Sequence, residues 1–393
     1  MRSLLERLEP ATYARARLQL GIGGVGTFVV ILSAALAIGL PRAMFAEKGG
    51  SPIEDAGLLA VWLAGLALLA FPFEVLGGLT LPRAFGRAHP VPGAWFVGWL
   101  RGVLATLLVM VTSGTLIVAA GRAGGAPAAI ATLALVLLAL VTLQTLLAKI
   151  IGGLRAVDPA EPAHEAALRG GFPKRRLVTL DALDEGFTGG VAGLPGAESC
   201  ILPLAWTERL EPRALELLVA RRALVAGRGM RALGLFAAFA WTVSTFLVAT
   251  LLPGGGAATV AEFVTASAWF GLLSFVGLLV LPTPSRAAAR AADAAIAGER
   301  PDDAPRLEGV LAALDRLQDD EPERPDGVER IFHPIPSLGS RRRALLQPRT
   351  GPSTWHLART AIYLSIAGLN PLHRLVHCNV GRPELWVFLP ADG

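Results

Sequence analysis

Long runs of apolar residues that carry almost no charge constrain this chain more than any other feature. A run of about 20 apolar residues is long enough to cross the hydrocarbon core of a bilayer as a helix. Six such runs contain no Asp, Glu, Lys or Arg apart from Glu74 in the second of them: 18–40, 56–81, 102–121, 126–148, 232–252 and 263–281. The sequence therefore predicts a mainly α, polytopic membrane protein with about six transmembrane helices, and the lipid bilayer is its first expected partner.

The composition supports a membrane protein and excludes several other classes. Only 17% of the 393 residues are charged and 53% are apolar, whereas soluble domains carry roughly 25% charged residues. Cys200 and Cys378 are the two cysteines, which excludes a multi-disulfide scaffold. No phosphate-binding loop, dinucleotide fingerprint or nucleophile elbow occurs in the chain. We expect no nucleic-acid partner and no cofactor.

Turn residues and polar stretches divide the chain into alternating membrane and polar regions. Short Gly-containing links join the third span to the fourth and the fifth to the sixth, which predicts two helical hairpins. We expect an N-terminal membrane domain of four spans, two polar segments on either side of a second hairpin, and a C-terminal extension. The boundaries of these regions are 1–152, 153–231, 232–281 for the hairpin, 282–350, and 351–393 for the extension.

The arginines beside the spans predict the orientation of the chain. Lys and Arg close to span ends are retained on the cytoplasmic side. Arginines concentrate in the first 17 residues, after the second span, before the fifth span and after the sixth span. Both termini and both polar segments are therefore predicted to be cytoplasmic, in the inner (cytoplasmic) membrane of a bacterium. The basic run 341–343 is interpreted as a lipid-facing or solvated surface.

The polar segments carry weaker local patterns. Short apolar stretches at 176–180 and 200–204 predict strands. The apolar spacing at 211–222 predicts a helix, and so does the Ala-rich stretch 285–298, with Ser285 as its N-cap. A third helix is predicted over 306–317.

Three separated segments, in this order around the second hairpin, resemble the HtpX-like family of membrane zinc endopeptidases, to which the CAAX prenyl proteases belong. Residues 201–228 resemble the strand and helix that carry His-Glu-x-x-His in that family. Residues 285–293, SRAAARAAD, resemble the helix Ser-Arg-x-x-Glu-x-x-Ala-Asp that follows the hairpin. Residues 332–345 resemble the family's His-Pro segment and the basic-apolar helix after it. The resemblance implies a metallopeptidase-like α+β domain, cytoplasmic and split by the last transmembrane hairpin.

The residues at the family's chemical positions differ from those that bind zinc. On this pattern Arg221 and Val225 stand at the two zinc histidines, Arg222 at the general-base glutamate and Ala289 at the ligand glutamate. Asp293 is retained. Arginine stays protonated and offers donors but no lone pair, so it neither ligates zinc nor deprotonates water. The resemblance thus predicts a pseudoprotease that acts as a scaffold, an adaptor or a subunit of a membrane complex, with a protein partner. A cleft relined with two arginines would prefer acidic or carboxylate ligands.

Two other functions stay open at this stage. His373 and His377 stand four apart and could share a helix face, which leaves an active zinc endopeptidase with unrecognised ligands. Glu74 and Arg101 are ionisable residues inside or at the end of spans, which leaves a small-solute transporter. The simpler interpretations are that the histidines are structural or on the surface, and that Glu74 and Arg101 pair with each other.

Overall fold

The first third of the chain folds into membrane helices. The computed structural model describes residues 12–46, 48–158, 161–318, 320–346 and 354–389. The helices of this part are α1 Tyr13–Ala37, α2 Leu40–Phe45, α3 Pro52–Val75, α4 Leu81–Ala84, α5 Pro92–Thr142 and α6 Gln144–Gly152, with a π-helical turn at Leu76–Thr80 between α3 and α4. Side-chain caps fix two of the starts: Thr12 accepts the Arg15 N–H before α1, and Ser51 forms a reciprocal capping box with Glu54 before α3.

Helix α5 contains both the third and the fourth predicted spans. It runs for 51 residues, but the backbone leaves helical geometry at Gly124 and Gly125. Gly125 has φ +67°, a left-handed conformation that suits glycine because it has no Cβ. The break falls in the predicted hairpin link, so the two expected spans lie on either side of it.

A small mixed sheet follows the membrane helices. Its strands are β1 Arg155–Val157, β2 Leu177–Asp181, β3 Gly190–Ala192 and β4 Ser199–Pro203, in the spatial order β1-β2-β4-β3. Strand β2 pairs parallel with β4, and both outer pairs are antiparallel. The two strands predicted from sequence, 176–180 and 200–204, are confirmed within one residue as β2 and β4.

Three helices of this region pack on the sheet and lead back to the membrane: α7 Glu161–Arg169, α8 Leu204–Arg209 and α9 Pro212–Gly227. The predicted helix 211–222 is confirmed, and it ends five residues later, at Gly227. Leu215, Leu218 and Val219 of α9 pack against Ala166 and Trp206 in one apolar cluster. Gly229, at φ +71°, then turns the chain into the next span.

The second hairpin and the rest of the sheet domain follow. The hairpin consists of α10 Met230–Leu251 and α11 Val260–Val280, and the helices after it are α12 Pro282–Glu299, α13 Ala304–Gln318, α14 Asp326–Phe332 and α15 Leu338–Leu346. We call residues 153–227 with 282–346 the sheet domain. Among the described residues, five helices are long and apolar enough to cross a membrane: Tyr13–Ala37, Pro52–Ala84, Pro92–Thr142, Met230–Leu251 and Val260–Val280.

The predicted start of the Ala-rich helix is wrong. Helix α12 begins at Pro282, so Ser285 lies inside its first turn rather than at the N-cap. Proline is well suited to the first position of a helix because its missing N–H has no intrahelical acceptor there. Ser285 is fully buried, and its hydroxyl donates to the Leu281 carbonyl at 3.1 Å.

The last described residues, 354–389, lie inside the membrane-helix bundle; we call them the C-terminal segment. They contain α16 Leu357–Leu364 and three 3-10 turns, and nearly all of their side chains are buried. The helical apolar spacing of 354–369 predicts packing on the soluble domain or a place at the membrane interface. Glycines in the spans explain the difference, since a Cβ on Gly77 or Gly78 would come within 2.4 Å of the Val380 or Gly381 carbonyl oxygen. The missing side chains let the backbone of the C-terminal segment lie directly against the spans.

Candidate functional site

Two helices of the sheet domain bring together the positions at which the sequence resemblance places the zinc ligands. Val225 of α9 packs against Ala288, Ala289 and Ala292 of α12, and Trp355 of the C-terminal segment completes this apolar cluster. The two helices approach closely around Val225 because α12 presents only alanine methyl groups to that side chain. Two of the five positions singled out from sequence, Val225 and Ala289, are therefore packing residues here.

The charged positions form a buried ion cluster of Arg221, Asp293 and Arg341. Arg221 Nε donates to Asp293 Oδ1 at 2.7 Å, and Arg221 Nη2 donates to the Ala289 carbonyl at 3.2 Å. Arg341 binds the same carboxylate with both of its nearer nitrogens, Nε to Oδ2 and Nη2 to Oδ1, each at 2.7 Å. The side chains of Arg221 and Asp293 are 0% exposed and that of Arg341 is 5% exposed. One carboxylate is thus shared by two guanidinium groups away from water.

Trp355 closes this cluster on the side of the membrane helices. Its ring centroid lies 4.8 Å from the Arg221 guanidinium carbon, a distance at which the ring face attracts the cation. The Trp355 backbone N–H donates to the Met230 carbonyl at 3.1 Å. A Cβ on Gly234 would lie 2.3 Å from the Trp355 carbonyl oxygen, so α10 accepts the tryptophan backbone only because this position is glycine.

Arg222, at the position of the general base, ties α9 to the sheet. Its Nη1 donates to the Ile201 carbonyl of β4 and its Nη2 to the Thr188 carbonyl before β3, both at 2.6 Å. The guanidinium carbon lies 5.1 Å from the centroid of the Trp206 ring. Burial raises the pKa of the neighbouring Cys200 thiol, although the charge of Arg222 acts in the opposite direction. A guanidinium held by two carbonyl oxygens is a structural link between helix and sheet.

This arrangement provides hydrogen-bond donors where a metal site needs lone pairs. Among the five positions Asp293 alone can ligate a cation, and both of its oxygens accept N–H groups from arginines. Within the described residues no group of three or more His, Cys, Asp or Glu is placed to hold a metal ion. The expected cleft lined by exposed arginines is absent, because Arg221 and Arg222 are fully buried and bonded to protein groups. The cavity beside Trp355 and the edge strand measures about 80 Å³, too small for a peptide.

The structure does not place His373 and His377 on one helix. His373 lies in the 3-10 turn Pro371–Arg374, fully buried, with its Nδ1 3.3 Å from the Asn370 carbonyl oxygen. His377 follows that turn, and its ring centroid lies 4.9 Å from that of His333. Each histidine therefore has its own packing environment, and they form no i, i+4 pair of ligands.

Glu74 does not pair with Arg101. Its carboxylate binds Arg374 of the C-terminal segment, with Nε at 2.8 Å and Nη2 at 2.6 Å, and accepts the Trp99 indole N–H at 2.6 Å. The Arg374 guanidinium carbon lies 4.6 Å from the Trp386 ring centroid. Glu74 is thus a neutralised, fully bonded group that ties the second span to the C-terminal segment.

Sequence reasoning missed three residues that complete these networks. Arg341 belongs to the basic run that we interpreted as a surface, yet it is buried on Asp293. Trp355 and Arg374 lie in the C-terminal extension, for which no contact with either network was predicted. The available signal was the match of 332–345 to the family's basic helix, which placed Arg341 near the site without giving its contact.

Comparisons with known proteins bear on the fold. No protein-family profile matches the chain, and no curated protein matches it in sequence. A solved structure does match: the crystal structure of S. mikatae Ste24p superposes with a TM-score of 0.63, at 15% sequence identity, over 85% of this chain and 83% of that one. The chain has the Ste24p fold. This likeness extends to the fold, and it agrees with a polytopic membrane protein.

Proposed function

We propose that this protein is a catalytically inactive homologue of the membrane zinc metallopeptidases, a pseudoprotease, which acts as a scaffold, an adaptor or a subunit of a membrane complex. The proposal rests on one observation: the Arg221–Asp293–Arg341 cluster stands where the sequence resemblance places metal ligands. Removing two charges from water costs several kcal/mol each unless they are paired, so a buried cluster of this kind is a fixed part of the fold.

The two remaining ligand positions support the same conclusion from packing. Val225 and Ala289 are both 0% exposed and touch Trp355 and other apolar side chains. A metal-bound water would have to lie among these groups, and it would find methyl groups there instead of a base. The chain thus keeps the helices of the Ste24p fold, and the side chains at these former ligand positions stabilise the packing of those helices.

The partner would bind the outside of the sheet domain, because the space at the former cleft is too small for a peptide. From the distribution of arginines we place the sheet domain and both termini in the cytoplasm, at the inner membrane of a bacterium. The side chains that would contact the partner are therefore on the surface of the sheet domain. Arg221 and Arg222 are not among them, because both are buried.

Metal content and peptidase activity test the loss of catalysis. The full chain, purified in detergent, should contain far less than one zinc per chain by elemental analysis, and a His373→Ala/His377→Ala variant should give the same value. Neither protein should cleave an unfolded membrane-protein substrate with or without added Zn²⁺. Stoichiometric zinc in the wild type, together with chelator-sensitive cleavage, would overturn the proposal.

A second variant tests the non-catalytic role. Replacing the cluster by apolar residues of similar volume, Arg221→Met/Asp293→Leu/Arg341→Met, should keep the fold, because apolar replacements of buried ion networks are often tolerated. A scaffold should then keep its complex in native membranes, as judged by its size on native gels, and should complement a deletion strain. A variant that is folded and membrane-inserted but has lost complementation would assign a direct chemical role to the cluster.

A further inference from the structure

A cavity of about 580 Å³ lies where the membrane helices meet the sheet domain. We call it the junction cavity. Its walls are the start of α5, including Trp95 and Trp99, the turn 181–186 after β2, and residues 381–384 of the C-terminal segment. It is separate from the ion cluster, because neither Arg221 nor Asp293 lines it. A space of this size is in the range of small-molecule sites.

Two arginines at one corner of the junction cavity have no acidic partner. Arg101 and Arg155 both line it, and within the described residues neither makes an ion pair or a side-chain hydrogen bond. Their positions are close: a Cβ on Gly153, two residues before Arg155, would lie 2.3 Å from the Arg101 guanidinium carbon. Gly153 has φ +70°, so the turn between α6 and β1 needs glycine and leaves its side-chain space to the guanidinium group.

The acidic groups of the junction cavity are mostly engaged elsewhere. Asp184 is bound by both nearer nitrogens of Arg382, and Glu185 binds Arg209 at 2.9 Å. Glu384 accepts the Asp184 backbone N–H at 2.9 Å, and burial together with the charge of Asp184 raises the pKa of Glu384 to about 7.

Four arginines and four acids line the junction cavity, so its charge is uneven in distribution and not in total. Asp181 is the cross-strand neighbour of Arg155 and is the one exposed acid facing it. Arg87 donates to the Arg316 carbonyl and lies 3.9 Å from Asp320, and the exposed His89 bonds the Arg87 carbonyl. The corner of the junction cavity formed by Arg101 and Arg155, which make no ion pair within the described residues, therefore favours an anion.

An apolar stripe leads from this corner along the outside of α5. Val97, Leu104 and Leu108 stand four residues before, three after and seven after Arg101, which places all four on one helix face. These three apolar side chains are 66%, 57% and 69% exposed. Arg101 is also the one charged residue of α5 before Arg122. An anionic site therefore continues directly into a surface suited to hydrocarbon chains.

We propose that the junction cavity binds the headgroup of an anionic phospholipid, with its phosphate between Arg101 and Arg155 and its acyl chains along Leu104 and Leu108. Guanidinium groups bind phosphate oxygens by paired N–H donors, and basic pockets beside membrane helices bind anionic headgroups. Trp95 and Trp99 supply the amphipathic wall that such an interfacial site uses.

Lipid titration of the full chain tests this proposal. Native mass spectrometry in mild detergent should show one retained phosphatidylglycerol per chain and much weaker retention of phosphatidylcholine. A basic residue near an anionic headgroup contributes about 1 kcal/mol, a factor of about five in affinity. Arg101→Gln and Arg155→Gln should each weaken phosphatidylglycerol binding about fivefold, and the double variant about twentyfold or more. Arg175→Gln, at an exposed arginine outside the junction cavity, should leave binding unchanged.

A second variant fills the junction cavity without changing its charge. Gly98 lines the cavity, with only the Arg101 guanidinium within 4 Å of an added Cβ. Gly98→Leu should therefore abolish tight lipid retention and leave the fold intact. Gly65→Leu is the matched control, because Gly65 lies in a span with nothing within 4 Å of an added Cβ.

Three results would overturn the lipid site: equal retention of phosphatidylcholine, unchanged phosphatidylglycerol binding in the Arg101/Arg155 double variant, or inorganic phosphate competing as strongly as the lipid. The last result would identify a site for a soluble anion.

Discussion

The two buried ion networks of this protein, one in the sheet domain and one among the membrane helices, hold their carboxylates in similar ways with different charge. Asp293 and Glu74 each accept three N–H groups. For Asp293 all three come from two arginines, whereas for Glu74 two come from Arg374 and one from the Trp99 indole. The described part of the first network has an excess of one positive charge, and the second is neutral.

The difference follows from the surroundings of each network. Hydrocarbon strongly disfavours net charge, so an intramembrane carboxylate is matched by one cation and otherwise by neutral donors. In the sheet domain Arg221 also donates to the Ala289 backbone carbonyl and lies against the face of Trp355. The two networks also share one type of contact, a cation–π interaction: each contains an arginine within 5 Å of a tryptophan ring centroid.

The largest expected effect comes from removing the shared carboxylate. Asp293→Asn would leave Arg221 and Arg341 buried without the carboxylate they share. We expect a loss of about 5 kcal/mol of unfolding free energy, since breaking a buried pair costs roughly 3–5 kcal/mol. Thermal unfolding in detergent measures this, with Asp302→Asn, at an exposed aspartate, as the control. A change under 1 kcal/mol would show that the cluster is not a structural charge network.

A smaller effect is expected in the membrane network. Arg374→Met would leave one buried charge, that of Glu74, without its partner, whereas Asp293→Asn leaves two, and the Trp99 indole would still donate to the Glu74 carboxylate. We expect a loss of about 3 kcal/mol of unfolding free energy, measured by the same thermal unfolding assay. The double variant Glu74→Gln/Arg374→Met should recover part of the loss. If Arg374→Met lowers the unfolding free energy more than Asp293→Asn does, the charge of the two networks does not explain the difference between them.

Glu384 offers a third case, a buried carboxyl without a cation of its own, because Arg382 is bound to Asp184. Its pKa is raised to about 7 by burial and by the charge of Asp184. Between about pH 4.5 and 7 the folded protein therefore keeps a proton that the unfolded chain releases. Unfolding free energy should fall as pH rises through this window, by at most about 1.4 kcal/mol per pH unit, and should level off above it.

The melting temperature between pH 5 and 8 checks this slope. In Glu384→Gln the slope should flatten, while Glu208→Gln, at an exposed glutamate, should keep it. An unchanged slope in Glu384→Gln would assign the pH dependence to other groups.

The sequence predicted those features that local patterns determine. Apolar runs predicted the membrane helices, and short β-branched stretches predicted β2 and β4. The order of three motifs around a hairpin predicted a metallopeptidase-like fold, and the Ste24p likeness supports it. The pairing of α9 with α12 around Asp293 followed from the same resemblance.

The contacts that the sequence did not predict join residues far apart along the chain. Arg341 lies 48 residues from Asp293, and Arg374 lies 300 residues from Glu74. No local pattern specifies such pairs, because packing of whole helices decides which cation reaches which carboxylate. The same reason explains Ser285, which has the composition of an N-cap but is placed inside α12 by the proline three residues earlier.

The position of the C-terminal segment sets the order in which this protein can assemble. Residues 354–389 are synthesised after the five described membrane helices, yet they fill the space between them. At about 5–20 residues per second, the ribosome needs about 15–60 seconds to pass from Glu74 to Arg374. During that interval the second span waits in the membrane without its counter-ion, and the helices cannot close on one another. Synthesis of Arg374 therefore precedes the closure of the bundle, and a segment made after the described spans becomes its centre.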